Sequence, residues 1–233
     1  MLYPVDLRQR CQAMLQLYTH YRSVSAHRVR IALNYKGISF QSIFIDVGNA
    51  PAQRLTYLNR NPQGLIPALL VRDDLLISQS AAILEYLEES YPERPLLPED
   101  IELRARIRSF AQIAVADTHP LNNLRVFRYL RDEMNVSYDD RCKWLAHWMH
   151  KAFAPMEAIL QTEGSSGAYC FGDRPSLADL CLVPQIILAE RYQVDLSPYR
   201  RLRQVYRSCK ALAAFQAAAP ETQPDRRGIA LKP

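Results

Sequence analysis

Ile66-Pro67-Ala68-Leu69-Leu70-Val71-Arg72-Asp73-Asp74-Leu75-Leu76-Ile77-Ser78-Gln79-Ser80-Ala81-Ala82-Ile83-Leu84-Glu85-Tyr86-Leu87-Glu88-Glu89 is the stretch whose reading decides the fold. Two apolar runs, 66–72 and 75–78, are joined through Asp73-Asp74, which reads as a hairpin. From Ser80 the spacing turns helical through Ile83, Leu84 and Leu87. Upstream, Met14 to Thr19 reads as a strand, followed by a polar turn and a helix in which Val29, Ala32 and Leu33 recur until Gly37 stops it. Ser39 to Asp46 then alternates as a strand does, and Pro51 to Leu58 is loosely helical. The order is βαβ followed by ββα. With a right-handed crossover in the first half and a hairpin in the second, it predicts a mixed four-stranded sheet with helices on its faces, the thioredoxin-like arrangement.

Downstream, Tyr91-Pro92-Glu93-Arg94-Pro95-Leu96-Leu97-Pro98 interrupts helix and removes backbone donors, as a linker does. Beyond it the pattern predicts helices at about 100–132, 137–162, 176–190 and 198–219. The expected organisation is an extension at 1–13, a thioredoxin-like unit at 14–91, a linker at 92–99, an all-α unit at 100–223 and a tail at 224–233. Ser176-Leu177-Ala178-Asp179 has capping-box spacing ahead of an apolar helix, a folding signal rather than chemistry.

At 233 residues and 48% hydrophobic, the chain is long enough to bury a sizeable core. No apolar run approaches the ~20 residues that span a bilayer, so no membrane partner is expected. The first dozen residues lack the apolar core of a secretion signal, which predicts a cytoplasmic address. Five cysteines, never in a CxxC pair, read as reduced thiols. The net charge of +5 is scattered, which argues against nucleic acid and suits small dianionic substrates. His147 and His150 share a helix face but have no further ligands at suitable spacing, so no metal is expected.

Four segments, in this order and at these distances, resemble the glutathione transferase superfamily: Asn61-Pro62-Gln63-Gly64-Leu65-Ile66-Pro67, Gln79-Ser80 opening a helix, the proline-rich linker, and the capping box. Tyr21-Arg22-Ser23-Val24-Ser25-Ala26-His27-Arg28-Val29-Arg30-Ile31-Ala32-Leu33 is similar to the zeta-class signature, an aromatic-Arg-Ser-Ser-Cys-Ser segment leading into Arg-x-Arg-Ile-Ala-Leu. Asp117 to Asn123, Phe171-Gly172-Asp173, Leu182 to Gln185 and Glu190 to Leu196 agree with that class. Two positions depart from it: Val24 stands at the second serine and Ser25 at the cysteine.

The resemblance implies the glutathione transferase fold, a homodimer, and glutathione as cofactor. It also implies cis–trans isomerisation of maleylacetoacetate to fumarylacetoacetate in tyrosine and phenylalanine breakdown. Maleylpyruvate is the nearest rival substrate; a general transferase or peroxidase and a non-catalytic binding protein are the other readings. Ser23, Ser25 and Arg22 are the implied catalytic residues, with Ser23 the first choice to meet the sulfur at the start of the first helix. Ile66 is expected to pair with the cysteinyl backbone before a cis Pro67. Gln79 and Ser80 would receive the γ-glutamyl carboxylate, with Ser80 capping its helix, and Gln63 would reach the glycyl end. Arg22 and Arg191 supply guanidinium forks for the substrate's carboxylates, and His119 would touch glutathione or substrate.

Overall fold

The computed structural model describes residues 14–45, 51–162 and 167–226, apart from the side chains of 51–54. The expected extension at 1–13, the end of the second strand at Asp46, loop residues 164–166 and the tail beyond 226 lie outside the described residues.

The order runs β1 (Leu15–Thr19), α1 (Val24–Lys36), β2 (Phe40–Phe44), α2 (Pro51–Arg60), β3 (Ala68–Arg72), β4 (Leu75–Ser78) and α3 (Ser80–Ser90). The sheet is ordered β2-β1-β3-β4, with β1 parallel to β2 and antiparallel to β3, and β3 antiparallel to β4. This is the predicted mixed sheet. β3 starts at Ala68 rather than Ile66 because Pro67 has no amide to place in a ladder; the Ile66–Pro67 bond is cis, as expected.

Ten of the thirteen α1 residues are buried, among them Arg28 and Arg30. The reason is its position: α1 lies between the sheet and the helical half, packing on α7 (Leu177–Arg191) and α9 (Ala213–Ala218) as well as on α3. Gly37 ends it in the left-handed region at φ 70°, where its amide and that of Ile38 reach back to the last carbonyls.

The linker is fastened at both sides. Glu88 accepts the amides of Leu96 and Leu97 at 2.9 Å and pairs with Lys36 at 2.7 Å, while Lys36 also donates to the carbonyls of Tyr91 and Arg94. Leu96 and Leu97 are buried in a core that runs from β1 and α1 through to the C-terminal helices.

The helical half comprises α4 (Ile101–Gln112), α5 (Leu124–Asp132), α6 (Tyr138–Thr162), α7, α8 (Arg200–Lys210) and α9. Sequence periodicity predicts one helix over 100–132, and the structure corrects this. α4 passes into a π-helical turn at Ile113–Thr118, where the Thr118 hydroxyl donates to the Ile113 carbonyl at 2.7 Å. Pro120 cannot continue the ladder, and Asn123 caps α5 afresh by accepting from the Arg125 amide. The stretch 198–219 also divides, into α8 and α9, with Gln216 donating to the Lys210 carbonyl at the break.

The capping box forms as expected at the start of α7. The Asp179 carboxylate is completely buried and accepts from the Ser176 amide at 2.8 Å, the Ser176 hydroxyl at 2.9 Å and the Cys170 amide at 2.9 Å.

Candidate active site

The turn from β1 into α1 carries the residues singled out for chemistry. Ser23 is the α1 N-cap in extended conformation, and its oxygen accepts from the Ala26 amide at 3.1 Å. The first amides of a helix have no intrahelical partner. With that of Ala26 taken, those of Val24 and Ser25 have none among the described residues. No acidic residue occupies the first turn of α1, so the positive end of this helix is open to an anion.

The two serines are not equivalent. Ser25 Oγ donates its only hydrogen to the Ile66 carbonyl at 3.0 Å and lies 3.2 Å from Ser23 Oγ. The 3.2 Å contact therefore has Ser23 Oγ as its donor to Ser25 Oγ, and the Ser23 hydrogen is the one an incoming anion would draw away. Ser25 instead ties α1 to the cis-proline turn, which is itself held by Tyr57 and Asn61, both donating to the Leu65 carbonyl at 2.6 and 2.8 Å. Burial pushes the Tyr57 hydroxyl up to about 12, so it stays a donor.

At the start of α3 the cap lies one residue earlier than expected. Gln79, at φ 68°, is the N-cap and its side chain makes no cap bond, whereas Ser80 is the first helical residue. That φ is a strained value for a residue with a side chain. Freed from capping, Gln79 donates to the Gln63 side chain at 2.7 Å, which places those two candidates together at the surface. The buried Ser80 hydroxyl accepts from Arg28 at 3.5 Å.

Arg22, Ser23 and Arg191 line one cleft with Tyr21, His27 and Ile187. Arg22 lies over the Tyr21 ring at 5.5 Å. Burial and the like charge of Arg22 both lower the Arg191 pKa, an arrangement that an anion between the two guanidinium groups would relieve. His119, just past the π-helical turn, has an enclosed and unpartnered Nδ1. Its pKa is lowered to about 3 by burial and by the charges of Arg28 and Arg125, so the ring is neutral at physiological pH. His150, by contrast, bonds Tyr199 and His147 meets Trp148 edge to face. Among the described residues no group of three potential metal ligands occurs, and no helix is long and apolar enough to cross a membrane.

Three residues at this turn escaped sequence reasoning. Arg30 donates to Thr19 Oγ1 at 3.0 Å and to the carbonyls of His20, Tyr21 and Ala218 at 3.2, 3.4 and 3.1 Å, binding the turn to the end of α9. Asp225, in the expected tail, accepts the Tyr21 amide at 2.8 Å. Arg28 is completely buried, with Ser80 as its one hydrogen-bond partner among the described residues. The only available signal was the presence of two cations in a helix that otherwise reads as core.

Comparisons with known proteins identify the family. The glutathione S-transferase N-terminal domain family matches residues 13–89, and the corresponding C-terminal domain family matches 143–211. A maleylpyruvate isomerase from a Ralstonia species is 43% identical over 211 residues, which cover 91% of this chain and 99% of that one. A maleylacetoacetate isomerase from Pseudomonas aeruginosa is 43% identical over 217 residues, covering 91% and 98%. The crystal structure of a maleylacetoacetate isomerase from Methylobacterium extorquens AM1, with bound malonate and glutathione, superposes with a TM-score of 0.86 at 37% identity, covering 90% and 98%. This chain belongs to the glutathione S-transferase family, in its zeta class.

Proposed function

We propose that this protein is a glutathione-dependent cis–trans isomerase of a cis-enoyl dicarboxylate, with maleylacetoacetate the substrate and fumarylacetoacetate the product. One observation carries the reading: a helix N-terminus whose Ser23 hydroxyl hydrogen is engaged only by Ser25 Oγ, and whose Val24 and Ser25 amides have no partner among the described residues, faces the cleft that Arg22 and Arg191 line. The donor set suits an anionic sulfur and a substrate with two negative charges. Glutathione, when bound, supplies a thiolate that adds reversibly to the double bond, so that the bond can rotate before the thiolate leaves.

The chain's own residues bind, orient and set charge. Ser23 and the amides of Val24 and Ser25 donate to the sulfur; lowering a thiol's pKa by one unit takes about 1.4 kcal/mol of preferential anion binding. Arg22 and Arg191 clamp the carboxylates and fix the double bond against the sulfur. Ile66 pairs with the cysteinyl backbone, Gln79, Ser80 and the first amides of α3 receive the γ-glutamyl carboxylate, and Gln63 reaches the glycyl end. Neutral His119 lends hydrogen bonding without adding charge. The glutathione-binding unit spans 14–91 and is joined through 92–99 to the helical unit at 100–223, with 1–13 and 224–233 flanking them. The same reading makes the protein a cytoplasmic homodimer, and a sedimentation mass of one chain would refute the dimer.

Maleylpyruvate is the second reading, favoured by the Ralstonia relative, which is as similar to this chain as the maleylacetoacetate isomerase, and by the serine that occupies the cysteine position. Supplying each dianion with and without glutathione tests both. The expected result is turnover of one or both that requires glutathione and regenerates it; turnover without glutathione, or a retained adduct, would overturn the proposal.

A further inference from the structure

Arg28 and Arg30 stand two residues apart on α1, both buried, and the structure treats them in opposite ways. Arg30 has four hydrogen bonds to oxygen acceptors. Arg28 has one, from Nη1 to Ser80 Oγ, while its Nε and Nη2 are enclosed without a partner. No carboxylate pairs with Arg28 among the described residues. The titratable groups whose charges interact with it are His27 on its own helix, His119 after the π-helical turn and Cys181 on α7. Both histidines are held neutral by burial and neighbouring cations, and burial pushes the Cys181 thiol up to about 11.

A buried cation with no counter-ion is strongly unfavourable unless something outside the chain completes it. The position of Arg28 indicates what does. Its one bond goes to the first residue of α3, whose opening amides lack partners, whose N-cap side chain makes no cap bond, and whose first turn contains no acid. By donating to the oxygen of Ser80, Arg28 leaves the hydroxyl hydrogen free to point away from it, toward an incoming acceptor.

We infer that Arg28 is a positioning residue for glutathione: a counter-charge held under the first turn of α3 whose anion is the γ-glutamyl carboxylate, reached through the Ser80 hydroxyl. The inference rests on the proposed docking of that carboxylate at Ser80. It makes ligand-free protein the less satisfied state, and it couples binding at α3 to α1, the helix that begins at Ser23.

The test pairs Arg28→Met and Arg28→Lys with two probes, glutathione and γ-aminobutyryl-cysteinylglycine, which lacks only that carboxylate. Wild type is expected to bind glutathione roughly tenfold or more tighter by calorimetry, the range of a charge-assisted bond. Arg28→Met is expected to lose most of that preference while its affinity for the truncated probe stays within about twofold, and Arg28→Lys to fall between. Ligand-free Arg28→Met is expected to melt at or above the wild-type temperature, because an unpaired buried charge has been replaced by an apolar chain. Preserved discrimination in Arg28→Met, equal loss for both probes, or a marked drop in melting temperature including failure to fold would overturn the inference. Absence of discrimination in wild type, together with no effect of Ser80→Ala, would instead remove the docking on which it rests.

Discussion

The N-termini of α7 and α1 are each capped by a serine, and they are built for opposite ends. At α7 the helix supplies its own anion: Asp179, in the first turn, closes the box with Ser176 and also takes the Cys170 amide. At α1 the first turn has no acid, Ser23 caps one amide, and the remaining donors face a cleft. α3 follows the open pattern, again with no acid and with a cap that makes no side-chain bond. The same orphan amides therefore stabilise the fold where an internal carboxylate fills them and stay open to an anion where none does.

The contrast can be broken most decisively at Asp179. Replacing it with Ala leaves two buried amides and a hydroxyl unanswered, and should destabilise the protein by about 3–5 kcal/mol. Urea unfolding measures this, and a loss under about 1 kcal/mol, the level of an ordinary surface cap, would mean that α7 is not sealed from within.

Next in size is Arg191→Ala, which should lower kcat/KM for the dianion about 100-fold, as the loss of a charged fork implies. Glutathione affinity should change far less. Comparable losses in both would undo the separation between the substrate cleft and the open helix ends.

Ser23→Ala sharpens the comparison at α1. The thiol pKa of bound glutathione should rise by about one unit, equivalent to ~1.4 kcal/mol, as read from the ultraviolet absorbance of the thiolate. Ser25→Ala should move it less, because the Ser25 hydrogen already belongs to the Ile66 carbonyl. An equal shift in the two variants would remove the distinction drawn between them.

Between neutral pH and about 6 the pH effect is the smallest, below about 1 kcal/mol. His119 titrates near 3 in the folded protein, so the unfolded chain, with histidine near its ordinary value of about 6.5, binds the extra proton first. Stability is therefore complete above about 6.5 and falls as the pH drops toward 3, by up to about 1.4 kcal/mol per unit for this one group. Comparing urea midpoints for wild type and His119→Gln between neutral and mildly acidic pH checks it: the variant should have the shallower slope.

Local pattern accounts for much of this protein. The order of strands and helices along the chain, the hairpin at Asp73-Asp74, the stop at Gly37 and the box at Ser176–Asp179 depend on residues within a few positions of one another, whose periodicity, backbone preference and reach decide the outcome before the chain packs. The cis bond at Pro67 was legible only through family resemblance, since Ile-Pro is an ordinary pair. The division of 100–132 was obscured because Ile113, Ala114 and Val115 continue an apolar helical spacing up to Pro120.

What tertiary structure alone decided lies between segments remote in sequence. Ser23 and Ser25 are near neighbours in the chain, yet a carbonyl 41 residues from Ser25 takes its hydrogen and leaves Ser23 as the donor. Arg28 and Arg30 look alike in Arg-Val-Arg, but half a helical turn sends one to four oxygens and the other to a single hydroxyl. Asp225 holds the Tyr21 amide from 204 residues away. A side chain's type states which bonds it is able to make; which of them it makes is decided by the partners that packing brings within about 3 Å, and those are absent from its own stretch of sequence.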